Sequence, residues 1–152
     1  MIRRVFAAAC ATAFVIVAGA ASAELATWDQ QRVAKYAAEL KLATADLKKA
    51  LDSVGIQNFA QQNAIYQLED TVEMLDTAAN GLDHALKSGK GRDETLPRYK
   101  RVESLRRDAE EEGRSADIPD AVFEKVISVG SALLKLRPYY VDQPKREDEK
   151  AE

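Results

Sequence analysis

Residues 65–86 read IYQLEDTVEMLDTAANGLDHAL, and the spacing of their apolar side chains decides the fold. Ile65, Leu68, Val72, Leu75, Ala79, Leu82 and Leu86 recur at alternating three- and four-residue intervals. A helix turns once in ~3.6 residues, so this spacing gathers all of them on one stripe, whereas a strand would scatter them over two faces. Small residues (Ala64, Thr71, Ala78, Ala85) border the stripe on one side, where a neighbouring helix can approach closely. Glu69, Glu73, Asp76, Asn80 and Asp83 run down the other flank. The stretch predicts a helix over 57–88 that forms one wall of a coiled-coil-like bundle.

Three more helices follow from the same pattern. Over 27–54, Val33, Leu40, Leu47 and Val54 make one row, and Tyr36, Ala43 and Ala50, with Leu51 beside them, a second. Over 95–112, Leu96, Tyr99, Val102, Leu105 and Ala109 form the apolar face, behind an acidic first turn with Pro97 in it. Over 118–137, Asp117 is the expected N-cap and Pro119 the first-turn proline. That helix carries two apolar stripes, Val122, Val126, Val129, Leu133, Leu136 and Phe123, Ile127, Gly130, Leu134, so its wide apolar face is expected to be the most buried surface. Gly55, Ser88-Gly89-Lys90-Gly91, Gly113 and Pro138 punctuate the chain, and no segment alternates as a strand does. Short connections make consecutive helices antiparallel neighbours. The expected fold is all-α, an up-down-up-down four-helix bundle with two long and two shorter helices, occupying residues 24–144. The first two helices meet at Gly55, and their hairpin tip is expected to project beyond the shorter pair.

The ends of the chain have a different character. Arg3 and Arg4 precede an apolar run from Val5 to Gly19, and Ala21-Ser22-Ala23 has the small-x-small form of a signal-peptidase site. Residues 1–23 are therefore expected to be a cleaved signal peptide, with Glu24 the first residue of the exported protein. The run is too short to span a bilayer, which takes ~20 apolar residues, so no stable membrane insertion is expected after cleavage. Arg3-Arg4-Val5-Phe6 resembles part of the twin-arginine export motif but lacks its flanking residues, which favours export of an unfolded chain. Cys10 is the only cysteine and leaves with the leader, so the exported protein has no disulfide. The absence of Asn-x-Ser/Thr after residue 23 fits a bacterial envelope, and the expected location is the periplasm. Loss of Arg3 and Arg4 takes the formal charge from −3 to −5, a balance that attracts neither nucleic acid nor anionic lipid. Residues 145–152 are nearly all charged and are expected to be a disordered tail.

Candidate sites are few. His84, the only histidine, falls at the seam position that points outward, and Met74 lies ten residues away and off the seam, about 15 Å along the axis. The two cannot share an iron, and there is no C-x-x-C-H motif, so a cytochrome-like bundle is matched in architecture alone. Glu69, Glu73 and Asp76 share a face, but the ordinary role of such a flank is pairing with Lys or Arg on the next helix. The basic residues Arg98, Lys100, Arg101, Arg106 and Arg107 are interleaved with acids, the pattern of a solvated, salt-bridged face. No nucleophile elbow, phosphate-cradling glycine loop or paired metal-ligand motif occurs, and an enzyme is not expected.

Two clusters remain as expected partner contacts. Val54, Ile56 and Phe59, beside Gln57, Gln61 and Gln62, make an apolar patch with a polar rim at the hairpin tip. Tyr139 and Tyr140 meet Trp28 and Tyr99 at the opposite end, either as a plug over the bundle base or as an aromatic contact site. The expected function is a non-catalytic exported bundle that binds another envelope protein or a second copy of itself. No cofactor or metal is expected; the alternative class is a bundle that holds a cofactor, metal or small ligand.

Overall fold

The computed structural model describes residues 25–55, 59–116 and 118–141, with every side chain among them except those of Phe59 and Ala60. The expected leader and charged tail lie outside these residues, as do Ile56 and the expected cap Asp117. The described residues form four helices: α1 (Gln30–Leu51), α2 (Phe59–Lys87), α3 (Arg92–Ser115) and α4 (Asp120–Tyr140). No strand occurs among the described residues. Each helix packs on two neighbours, α1 and α3 both against α2 and α4, with no close backbone approach across either diagonal. Side-chain bonds fix the directions. Gln30 Nε2 donates to the Leu86 carbonyl at 2.6 Å, and Lys48 pairs with Glu73 at 3.5 Å, so α1 and α2 run antiparallel. Tyr140 from the end of α4 meets Thr95 at the start of α3 and Trp28 just before α1. The bundle is the up-down-up-down one expected.

All seven apolar residues quoted from α2 are buried, none more than 1 % exposed. In α1 the buried row is Val33, Ala37, Leu40, Thr44, Leu47 and Leu51, while Tyr36, Ala43 and Ala50 are only half-buried. The second row is thus one residue further along than its apolar character suggests. Thr44 conceals it: the single hydroxyl proton has the Lys41 carbonyl and the Asp76 carboxylate as alternative acceptors, each at 2.9 Å, so a polar residue in the seam is not left unsatisfied.

The helix ends differ from expectation for local reasons. Asp29 caps α1 by accepting from the Arg32 N–H at 3.0 Å, so the helix begins three residues late. Its far end closes at Leu51, where the Ser53 and Val54 N–H groups turn back to the Ala50 and Leu51 carbonyls. The lengths of 22, 29, 24 and 21 residues leave only α2 conspicuously long. Gly89, at φ 81°, stops α2: its N–H reaches the Leu86 carbonyl and the Lys90 N–H the Ala85 carbonyl, the paired bonds of a Schellman motif. Gly113 does not end α3, because one interior glycine costs only ~1 kcal/mol. Its missing side chain also admits Ile118, whose Cδ1 would lie 3.3 Å from a Cβ there. Nor does Pro138 end α4. The Val141 N–H bonds the Arg137 carbonyl at 2.9 Å across it, and the burial of Tyr139 and Tyr140 holds the last turn. The cap of α4 is Pro119, whose carbonyl accepts from Val122 and Phe123.

Candidate functional site

One stripe of α4 is not where its sequence suggests. Val122, Val126, Val129, Leu133 and Leu136 are buried, but Ile127 and Leu134 of the second stripe are 55 % and 60 % exposed. Phe123 and Gly130 are half-buried. The expectation that both stripes form the most buried surface is overturned by the square arrangement. A helix with two neighbours buries the arc between them, and the second stripe lies at the edge of that arc, beside α3.

The α3/α4 seam is the most open of the four and holds a groove of about 290 Å³. Ile127, Gly130, Ser131, Leu133 and Leu134 of α4 form one wall, and Tyr99, Glu103, Arg106 and Glu110 of α3 the other, with Arg137 at its end. The α3 wall of this seam carries the long charged side chains of Glu103, Arg106 and Glu110. Arg106 crosses toward α4 at Gly130, where an added Cβ would lie 3.6 Å from its guanidinium. Arg106 and Arg114 both pair with Glu110, and Arg114 also stands 5.9 Å over the Phe123 ring at the far end. Among the described residues neither Glu103 nor Arg137 has an ion-pair partner. Tyr99 closes the near end, stacked on Tyr140 at 4.4 Å. Burial pushes its phenol up to about 12, Glu103 adds to the rise, and Arg137 opposes it.

The bundle base is a packed plug. Trp28 meets Tyr139 and Tyr140 edge-on at 6.4 and 5.6 Å, and Arg92 lies 5.5 Å over the indole. The segment before α1 is strapped down by Ala26 N–H to the Pro138 carbonyl at 2.9 Å and by Arg92 to the Ala26 carbonyl at 2.6 Å. Tyr139 and Tyr140 are each 7 % exposed, so the aromatic pair is occupied in holding the base rather than presented to a partner. At the other end Val54 is half-buried against the core, not stranded at a tip. Ile56 and the Phe59 side chain lie outside the described residues, so the tip patch is not assembled by what the structure describes.

His84 is exposed, as its helical phase predicts. On the acidic flank Glu73 pairs with Lys48, and Asp76 accepts from Thr44 and Asn80. Asp83 pairs across to Lys41 of α1 at 3.9 Å and with Lys87 at 2.8 Å; it is only 3 % exposed and leaves Oδ1 without a partner. Among the described residues no three His, Cys, Asp or Glu side chains converge as a metal site would require. No described helix is long and apolar enough to cross a membrane. The chain matches no protein-family model, no curated protein and no solved structure.

The α3/α4 face was within reach of sequence reasoning. Glu103, Arg106, Glu110 and Arg114 follow one another at helical spacing with alternating sign, and α4 has more apolar residues than one seam can cover. Neither signal says which stripe stays outside.

Proposed function

We propose that this protein is an exported, non-catalytic helical bundle that works through a protein–protein contact, made on the open α3/α4 face. The observation that carries the reading is the pair Ile127 and Leu134, two large aliphatic side chains more than half exposed and one heptad apart on a well-packed helix. Leaving both in water forgoes roughly 1.5–3 kcal/mol each, and a contiguous apolar strip rimmed by charge is the usual form of a contact surface. The mixed charges of the rim suit a protein surface, which carries both signs, better than a polyanion. The periplasmic location rests on residues 1–23 and their small-x-small cleavage pattern.

The test is site-specific photo-crosslinking in living cells. A crosslinking residue at Leu134 is expected to yield a discrete adduct, and one at Leu42, 65 % exposed on α1, none. An adduct from Ile56 alone would move the contact to the hairpin tip, and no adduct at any position would end the reading. Amino-terminal sequencing of the same periplasmic material is expected to begin at Glu24; a chain retained in the cytoplasm with its leader intact would refute export.

A further inference from the structure

The charges along the α3/α4 groove alternate in a way that suits one occupant. α3 and α4 are antiparallel, with Tyr99 against Tyr140, Arg106 against Gly130 and Arg114 against Phe123. Read from the base outward, the four charged residues lining the groove are therefore Arg137, Glu103, Arg106 and Glu110, in the order plus, minus, plus, minus. They stand about one helical turn apart on the same flank of the exposed stripe. Reversed end to end, that series of four is its own complement, with Arg114 lying beyond it at the far end, paired to Glu110 of its own chain. We infer that the α3/α4 face is occupied by a second copy of this chain, related by a two-fold axis that sets the two α4 helices antiparallel.

A two-fold axis perpendicular to two antiparallel helices returns each flank to the same side of the contact, so the two charged flanks face each other. Arg137 then meets Glu110 of the second copy, and Glu103 meets its Arg106, each pair formed twice. Glu103 and Arg137, the two groove charges with no ion-pair partner among the described residues, both gain one. The same register brings Leu134 to Gly130 of the other copy, against the Arg106 side chain, whose Cδ would lie 3.7 Å from a Cβ there. A parallel pair, with its two-fold axis along the helices, would put the two charged flanks on opposite sides of the contact and pair none of these charges. The contact is one helix wide and about 30 Å long, at the lower end of stable interfaces, so a dimer dissociating at about 1–100 μM is expected.

The inference rests on the α3/α4 face being a contact surface, and the experiment separates the two. Protein purified from expression of the full chain is followed by sedimentation equilibrium up to about 200 μM at low salt, where rim charges are least screened. Wild type is expected to dimerise, and Leu134→Asp and Arg137→Glu to weaken the dimer about 10²-fold or more, since each change counts twice. Leu42→Asp is expected to leave it unchanged, and all three to keep wild-type helicity by circular dichroism. In a Cys10→Ala background, Ser131→Cys, near the axis, is expected to form an intermolecular disulfide, and Glu124→Cys, remote from it, to form none. A wild type monomeric throughout, an equal loss with Leu42→Asp, or crosslinking through position 124 instead of 131 would each overturn the inference. A monomer whose position 134 still crosslinks to a different protein overturns the second copy alone; a monomer with no adduct overturns the contact face as well.

Discussion

Thr95 and Tyr140 show how single polar atoms are accommodated in this core. The Thr95 hydroxyl, fully buried, has one proton, which goes to the Gly91 carbonyl at 2.8 Å, so Tyr140 donates to Thr95 Oγ1 in the buried pair at 2.8 Å. Thr95→Val leaves the tyrosine hydroxyl without that acceptor and is expected to cost about 1–3 kcal/mol, read from urea unfolding. Adding Tyr140→Phe removes the stranded group and is expected to recover part of the loss; a double variant as unstable as the sum of the singles would show that the bond is not what matters. Thr44 is the same lesson in α1, a hydroxyl made compatible with a seam because its one proton always has an acceptor in reach, on its own helix or on α2. Both residues look polar in the sequence, and their partners lie on other helices or other turns. Periodicity alone therefore places the α1 row one residue off.

At the scale of the element, α2 was legible in full and α4 only in half. Every apolar residue of the α2 stripe is buried because that stripe is narrow, and two neighbours cover it. α4 offers more apolar surface than two neighbours can cover, so its packing is decided by α3, whose facing side chains are charged. The interior glycines separate helix propensity from packing. A Cβ on Gly81 of α2 would lie 3.1 Å from Nη1 of Arg98, the free end of a flexible side chain that can swing aside. Gly81→Ala is therefore expected to stabilise the bundle by about 0.5–1 kcal/mol, raising Tm by about 3–6 °C in a thermal melt. A fall in Tm would mean that the Arg98 position is itself needed.

For the molecule as a whole, the tyrosines at the base tie stability to alkaline pH. Burial raises the phenols of Tyr99, to about 12, and of Tyr140, above the ~10 of an unfolded tyrosine. The folded state therefore favours the neutral phenols. Their contribution is complete below pH ~10 and is lost as the pH rises through the folded value of about 12, because the unfolded chain releases its protons first. The urea midpoint is expected to fall across that window, and a Tyr99→Phe/Tyr140→Phe variant to fall less. Equal slopes would show that the loss comes from other groups, such as Lys135, which the hydrogen bond to Glu39 holds charged above its ordinary range.

The sequence by itself determined the helices, their number and their antiparallel order, because apolar spacing and short connections are local properties of the chain. It also placed Trp28, Tyr99, Tyr139 and Tyr140 together, since an up-down bundle returns its first and last turns to one end. What only the tertiary structure decided is which surface each of those residues meets. Burial is shared among four helices at once, and the arc covered on any one of them depends on what its neighbours present. That is why Tyr139 and Tyr140 are sealed into the base while Ile127 and Leu134, equally apolar by spacing, stand open beside Arg137, Glu103, Arg106 and Glu110.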